Sequence, residues 1–176
     1  MKKSIFLFLS IILCGSIQSQ SLVAIGNFII EQNDFTIARE ILIKSGYELF
    51  TSAELQSLGH NPKTKIIGTK SEIASKSIMG IVTAKSQNGG ISSTEFLCFD
   101  NDVSNFDDDI TDVGYKLFGS RKYIEAKRIK INEVSYRRIG DDYVDTVIIK
   151  YLLTKNGEGI QGANVKFSRT RRKLNN

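Results

Sequence analysis

Two hydrophobic patterns alternate along the chain. Through residues 35–45 the stripe Ala38, Leu42, Ser45 and Leu49 recurs at helical spacing, which predicts a helix with one face turned to a core. Asp34 stands where an N-cap carboxylate accepts from first-turn amides, and Gly46 where a left-handed residue ends a helix. Then the period shortens. Residues 63–69, 77–86 and 91–99 read as strands, and Asn88-Gly89 between the last two tolerates positive φ at both turn positions, predicting a tight hairpin. The same succession returns: Phe106, Ile110, Val113 and Leu117 at helical spacing, Asp102 or Ser104 as cap, and Gly114 as stop. Strands follow at 129–138, 143–154 and 163–169, with Asn156-Gly157 in the last turn. Tyr47-Glu48-Leu49-Phe50 and Tyr115-Lys116-Leu117-Phe118 leave the two glycines as first strands, and residues 21–32 form an extra element read as a helix.

That return is numerical as well as visual. Laid on itself at an offset of 68, the stretch 33–100 meets 101–168 with eleven identical pairs, where chance gives about four. Gly46-Tyr47 falls on Gly114-Tyr115, Leu49-Phe50 on Leu117-Phe118, and Asn88-Gly89 on Asn156-Gly157. The expected fold class is α+β: two tandem units, 33–100 and 101–168, each a helix followed by about four antiparallel strands, with the helices on one face of the sheet. Segments 1–20, 21–32 and a basic tail at 169–176 flank them.

Charge and composition adjust this picture. With 41% hydrophobic and 24% charged residues in 176, the composition is globular. Lys2 and Lys3 precede an apolar run from Ile5 to Cys14, and small or polar residues follow to Ser21. That order marks a secretory signal peptide, with cleavage after Gln18 or Gln20, and its core falls short of the roughly 18 residues a membrane span needs. A rival is lipid attachment at Cys14, although Leu13 stands where such a signal wants a small residue. The mature product is then secreted or periplasmic. The formal charge of +5 loses its weight on this reading: without the two leader lysines 22 bases face 19 acids, and without Arg169, Arg171, Arg172 and Lys173 the count is 18 to 19. A nucleic-acid surface spreads its bases over a face among aromatic platforms, so no nucleic-acid partner is expected.

The search for chemistry is mostly negative. The cysteines are Cys14 and Cys98, so the mature chain has no internal disulfide, and Cys98 lies in a strand-like run as a small buried hydrophobe. The single histidine, His60, sits in the loop-like Gly59-His60-Asn61-Pro62, remote in pattern from any nucleophile. Residues 100–111 begin like a calcium loop but place Asn105 at the glycine position and Thr111 at the bidentate glutamate position. Asp107, Asp108 and Asp109 instead suit the positive end of a helix. Asp141-Asp142, with Glu133 or Asp145, suggests a carboxylate pair, yet Gly140-Asp141-Asp142 also fits a turn. No catalytic residue, metal ligand or cofactor is assigned.

Aromatic residues remain. Tyr47 and Tyr115 recur in both units and read as core, whereas Tyr136 and Tyr151 are flanked by Arg137, Arg138 and Lys150. Those five residues are the candidate binding set, on an open sheet face suited to an acidic protein or a glycan. The element order over 34–170 resembles that of beta-lactamase inhibitor proteins, tandem secreted modules of helix plus four-stranded sheet. That resemblance implies a binding surface across the sheet and carries no inhibitor residue onto this chain. The expected function is a non-enzymatic binding module partnered by an envelope or secreted protein or a glycan. The alternative is a carboxylate-dependent hydrolase or calcium-binding enzyme of the envelope.

Overall fold

The computed structural model describes residues 22–70, 78–87, 90–99, 106–125, 129–154, 156–157 and 159–172. The proposed leader, the Asn88-Gly89 turn and residues 100–105, with the caps read at Asp102 and Ser104, lie outside them. The fold is α+β. Helices α1 (Leu22–Gln32) and α2 (Phe35–Lys44) come first, then β1 (Glu48–Leu49), α3 (Ser52–Ser57), β2 (Lys65–Lys70), β3 (Ile78–Gln87) and β4 (Gly90–Phe99). The second half runs through α4 (Phe106–Asp112), β5 (Lys116–Glu125), β6 (Ile129–Ile139), β7 (Tyr143–Leu153) and β8 (Ile160–Arg171). All eight strands form one antiparallel sheet in the order β1-β2-β3-β4-β8-β7-β6-β5. The last strand of each half therefore meets the other at the centre, and the first strands lie at the two ends.

Local chemistry explains the helix ends. Asp34 accepts from Thr36 N at 2.8 Å and Ile37 N at 2.9 Å, the N-cap expected of it. Gly46 and Gly114 close α2 and α4 at φ +86° and +88°, a conformation in which a side chain is strained. Asn33, at φ 52°, ends α1 by donating its N–H to Ile29 O.

Helix α1 crosses the seam between β4 and β8. It buries Val23, Ile25, Ile29 and Ile30, and Gly26 lets it approach so closely that a Cβ there would lie 2.3 Å from Phe167 Cε2. Beneath it Phe96 and Phe167 pack edge to face, ring centroids 6.2 Å apart. Ala38 and Leu42 of α2 and Ile110 of α4 join the same core with Ile66, Val134, Tyr136, Val147, Ile149 and Val165. One face of the sheet thus carries α1, α2 and α4.

The pairing does not keep the uniform offset of 68 expected from the sequence. One transverse row of the first half, Leu49–Gly68–Val82–Phe96, can be set beside the row Leu117–Tyr136–Val147–Phe167 of the second. The shifts from one row to the other are 68, 68, 65 and 71 residues. A uniform 68 would set Phe96 against Asn164 and reverse the face of the last strand, since side chains alternate with period two. The differences come from loops: seven residues between β2 and β3 against three between β6 and β7 lower the shift to 65, and two between β3 and β4 against six between β7 and β8 raise it to 71.

Two further expectations change. The first strand after Gly46 is only two residues long, because Thr51 and Glu54 form a reciprocal capping box that turns the chain into α3. The basic tail begins later than residue 169: β8 continues through Arg171, and Arg169 is bound into the sheet.

Candidate functional site

Strand alternation divides the five candidate binding residues between two faces. Tyr136 pairs across from Val147, and both belong to the helix-covered core. Tyr136 and Tyr151 are 5% and 4% exposed. Tyr151 donates its hydroxyl to Asp107 Oδ1 at 3.0 Å, in the first turn of α4. Burial first, and the Asp107 carboxylate with it, hold both phenols protonated well above the ordinary tyrosine range. Arg138 shares their face. Arg137 and Lys150 point the other way. The structure therefore sets Arg137 and Lys150 on one face but four residues apart in register, without the tyrosines; this is the side away from α1, α2 and α4, called helix-free for that reason.

The helix-free side has its own aromatic and ionic partners. Arg121, Glu133, Lys150 and Asn164 lie in one row across β5, β6, β7 and β8. Arg121 Nε donates to Glu133 Oε1 at 2.8 Å, and Tyr123 donates its hydroxyl to Glu133 Oε2 at 3.0 Å. The Arg121 hydrogen bond outweighs burial and, with Tyr123, holds the Glu133 carboxyl below the usual carboxylate range. Arg137 stacks over Phe118, its Cζ 3.4 Å from the ring centroid, while Phe118 stays 60% exposed. Asn164 donates to Glu95 Oε1 at 2.7 Å, extending the polar surface to the central strand. Glu133 is named in the sequence only as a partner for Asp141-Asp142; Arg121, and the pairing of the two, escape a reading of single motifs. Their signal is the i, i+2 spacing of Arg121 and Tyr123 on one strand, which becomes informative only when β5 is known to extend past Phe118.

On the helix side, Asp145 accepts from Arg169 Nε at 2.6 Å, Arg169 Nη2 at 2.8 Å and Arg138 Nη2 at 2.9 Å. Arg138 also reaches Glu31 Oε1 at 3.0 Å and donates to Val113 O at 3.1 Å, fastening the ends of α1 and α4 to the sheet. Its guanidinium lies over the Tyr115 ring, and Tyr115 donates its hydroxyl to Asn27 Oδ1. Burial pulls the Asp145 carboxyl upward, but the two arginines overcome it and the pKa falls below the ordinary value.

Beside this network an open hollow of about 480 Å³ is lined by Glu31, Arg138, Asp141, Asp142, Asp145 and Arg169, among others. Of the carboxylates that the sequence suggests as a pair, Asp141, Asp142 and Asp145 line this hollow. Glu133 is on the opposite face. With both Asp145 oxygens engaged by guanidinium groups, that carboxylate is an acceptor in a structural clasp rather than a proton donor. Among the described residues no group of three or more His, Cys, Asp or Glu is placed to hold a metal ion. His60 lies in a loop with Lys65 Nζ 2.9 Å from its Nε2, and Cys98 packs partly buried against the core. No helix among the described residues is long and apolar enough to cross a membrane.

Compared with protein-family models, curated proteins and solved structures, the chain matches none. The resemblance in element order to beta-lactamase inhibitor proteins thus gains no support from a structural match.

Proposed function

We propose that this protein is an exported, non-enzymatic binding module that engages an acidic envelope or secreted protein, or a glycan, through the helix-free face of its sheet. The observation that carries this reading is the Arg121–Glu133–Lys150–Asn164 row beside the exposed Arg137–Phe118 stack. Rigid cations and aromatic rings on a sheet lose little entropy when they meet a partner. We read the two halves as copies of one unit. The matched transverse rows and the glycine stops at 46 and 114 support that reading. Export rests on the leader-like residues 1–20, and the intact mass of the mature N-terminus separates cleavage near Gln18 or Gln20 from lipid attachment at Cys14.

The rival, a carboxylate-dependent hydrolase or calcium enzyme, is weakened because Asp145 is held by two arginines and Glu133 faces away from the hollow. Lys166 stands between Glu95 and Ile148 on the same face as Arg137, and a direct test compares the full chain with Arg137→Glu/Lys166→Glu for binding to envelope proteins and to a glycan panel. Loss of binding with unchanged circular dichroism is the expected result. Binding indifferent to both reversals overturns the reading.

A further inference from the structure

The two ends of the sheet are not equivalent. At one end, β1 offers only Glu48 and Leu49 before the chain turns into α3. At the other, β5 runs for ten residues and hydrogen-bonds only to β6, leaving its outer backbone edge without a described strand. Its side chains are bare as well. Leu117 and Ile124 are each 64% exposed, and Phe118 60%.

The cross-strand partners assign the faces. Leu117 stands opposite Tyr136 and Ile124 opposite Lys130, on the helix side, while Tyr123 stands opposite Ile131 on the other. Helix α4 is seven residues long and ends at Asp112, so the helix layer does not cover β5. A backbone edge with no partner strand among the described residues is thereby flanked by apolar side chains on both faces, the arrangement that an added strand completes.

Charge selects the occupant. β5 carries Lys116, Arg121 and Lys122 against Glu125 alone, and β6 adds Lys130 and Arg137, while Glu133 is paired with Arg121, and Arg138 with Asp145 and Glu31. A second copy of β5, joined antiparallel about a two-fold axis, centres on Ser120 or Arg121. The former sets Arg121 and Lys122 of both copies within the same few residues, and the latter sets Arg121 against itself. Like charges so placed oppose the pairing. An acidic strand meets the opposite condition. We infer that β5 is a docking edge for an extended segment of another protein in which acidic and apolar residues alternate, added antiparallel or parallel as a ninth strand.

This inference rests on the binding-module reading but not on the helix-free face as the contact. It is tested on the full chain with a fluorescent peptide of β5 length alternating Glu and Val, and a control alternating Lys and Val. The acidic peptide is expected to bind at least about tenfold more tightly, with the preference shrinking as salt rises. Amides of 116–125 gain exchange protection on binding. Lys116→Glu/Lys122→Glu removes the preference while circular dichroism stays unchanged. Equal binding of the two peptides overturns the inference, as does protection gained away from β5, or sedimentation showing that the chain alone closes this edge with a second copy. If the peptides fail while Arg137→Glu/Lys166→Glu still abolishes partner binding, the edge is refuted and the binding module stands. If that double variant is also without effect, both fall.

Discussion

The outer strands β1 and β5 begin alike: a helix ends on a glycine of positive φ, a buried tyrosine follows, and a strand starts at residue 48 or 116. Three residues later they part. Thr51 and Glu54 close a capping box in the first half, whereas the residues 68 places on are Gly119 and Lys122. Glycine offers no capping hydroxyl, and lysine in a first turn opposes the helix dipole. The second chain segment therefore stays extended, with Arg121 and Tyr123 on one face. A pair of side chains decides whether a sheet edge is short and followed by a helix, or long and bare.

The halves differ again in their ties to the helix layer. Arg138 lies against Gly114 as Lys70 lies against Gly46. By the row shifts of 65 and 71, Asp145 and Arg169 take the places held by Gly80 and Cys98. Only the second half therefore builds the Arg–Asp–Arg clasp. Stability of the second half should depend on charge where the first depends on apolar packing.

The strongest way to break that contrast is Asp145→Ala, which leaves Arg138 and Arg169 without their shared acceptor and is expected to cost about 3 kcal/mol in urea unfolding. The same clasp gives the contrast a pH signature. Asp145 and Glu133 both titrate below their ordinary values in the folded chain, so unfolding takes up protons. Their contribution is complete above the unfolded carboxylate range, near pH 4, and is lost as pH falls through the lower folded values. Asp145→Asn or Glu133→Gln should flatten that acid limb.

Gly26→Ala tests the element shared by both halves. A methyl group 2.3 Å from Phe167 lifts α1 from the seam, with an expected loss of about 2 kcal/mol and weaker protection of β4 and β8 together. Thr51→Ala removes the cap of α3 and should cost about 1 kcal/mol, confined by exchange measurements to residues 48–58. Smallest is Thr94→Val. The Thr94 hydroxyl is fully buried and finds no partner among the described residues, so the replacement should leave stability unchanged or raise it by about 0.5 kcal/mol.

Much of this architecture is visible in the chain before any coordinates. Strands β2 to β4 and β6 to β8 fall within a few residues of the hydrophobic runs, because alternation and turn residues are local signals. Asp34, Gly46 and Gly114 are legible for the same reason. What escapes local reading is non-local. The faces of Tyr136 and Tyr151 depend on which side α1 and α4 cover, and the spacing between paired rows depends on loop lengths that an ungapped comparison cannot accommodate. The helix α3 is a different case. Its Thr51-x-x-Glu54 box is written in the sequence, yet a strand reading of Tyr47-Glu48-Leu49-Phe50 obscures it.

The contrast between the edges is tested most directly by residue-resolved amide exchange on the free chain. A bare edge predicts alternation along 116–125: amides bonded to β6 are protected and the intervening outward amides exchange at nearly unfolded rates. Continuous protection along all of β5 would mean that its outer edge is already paired, and would contradict the account.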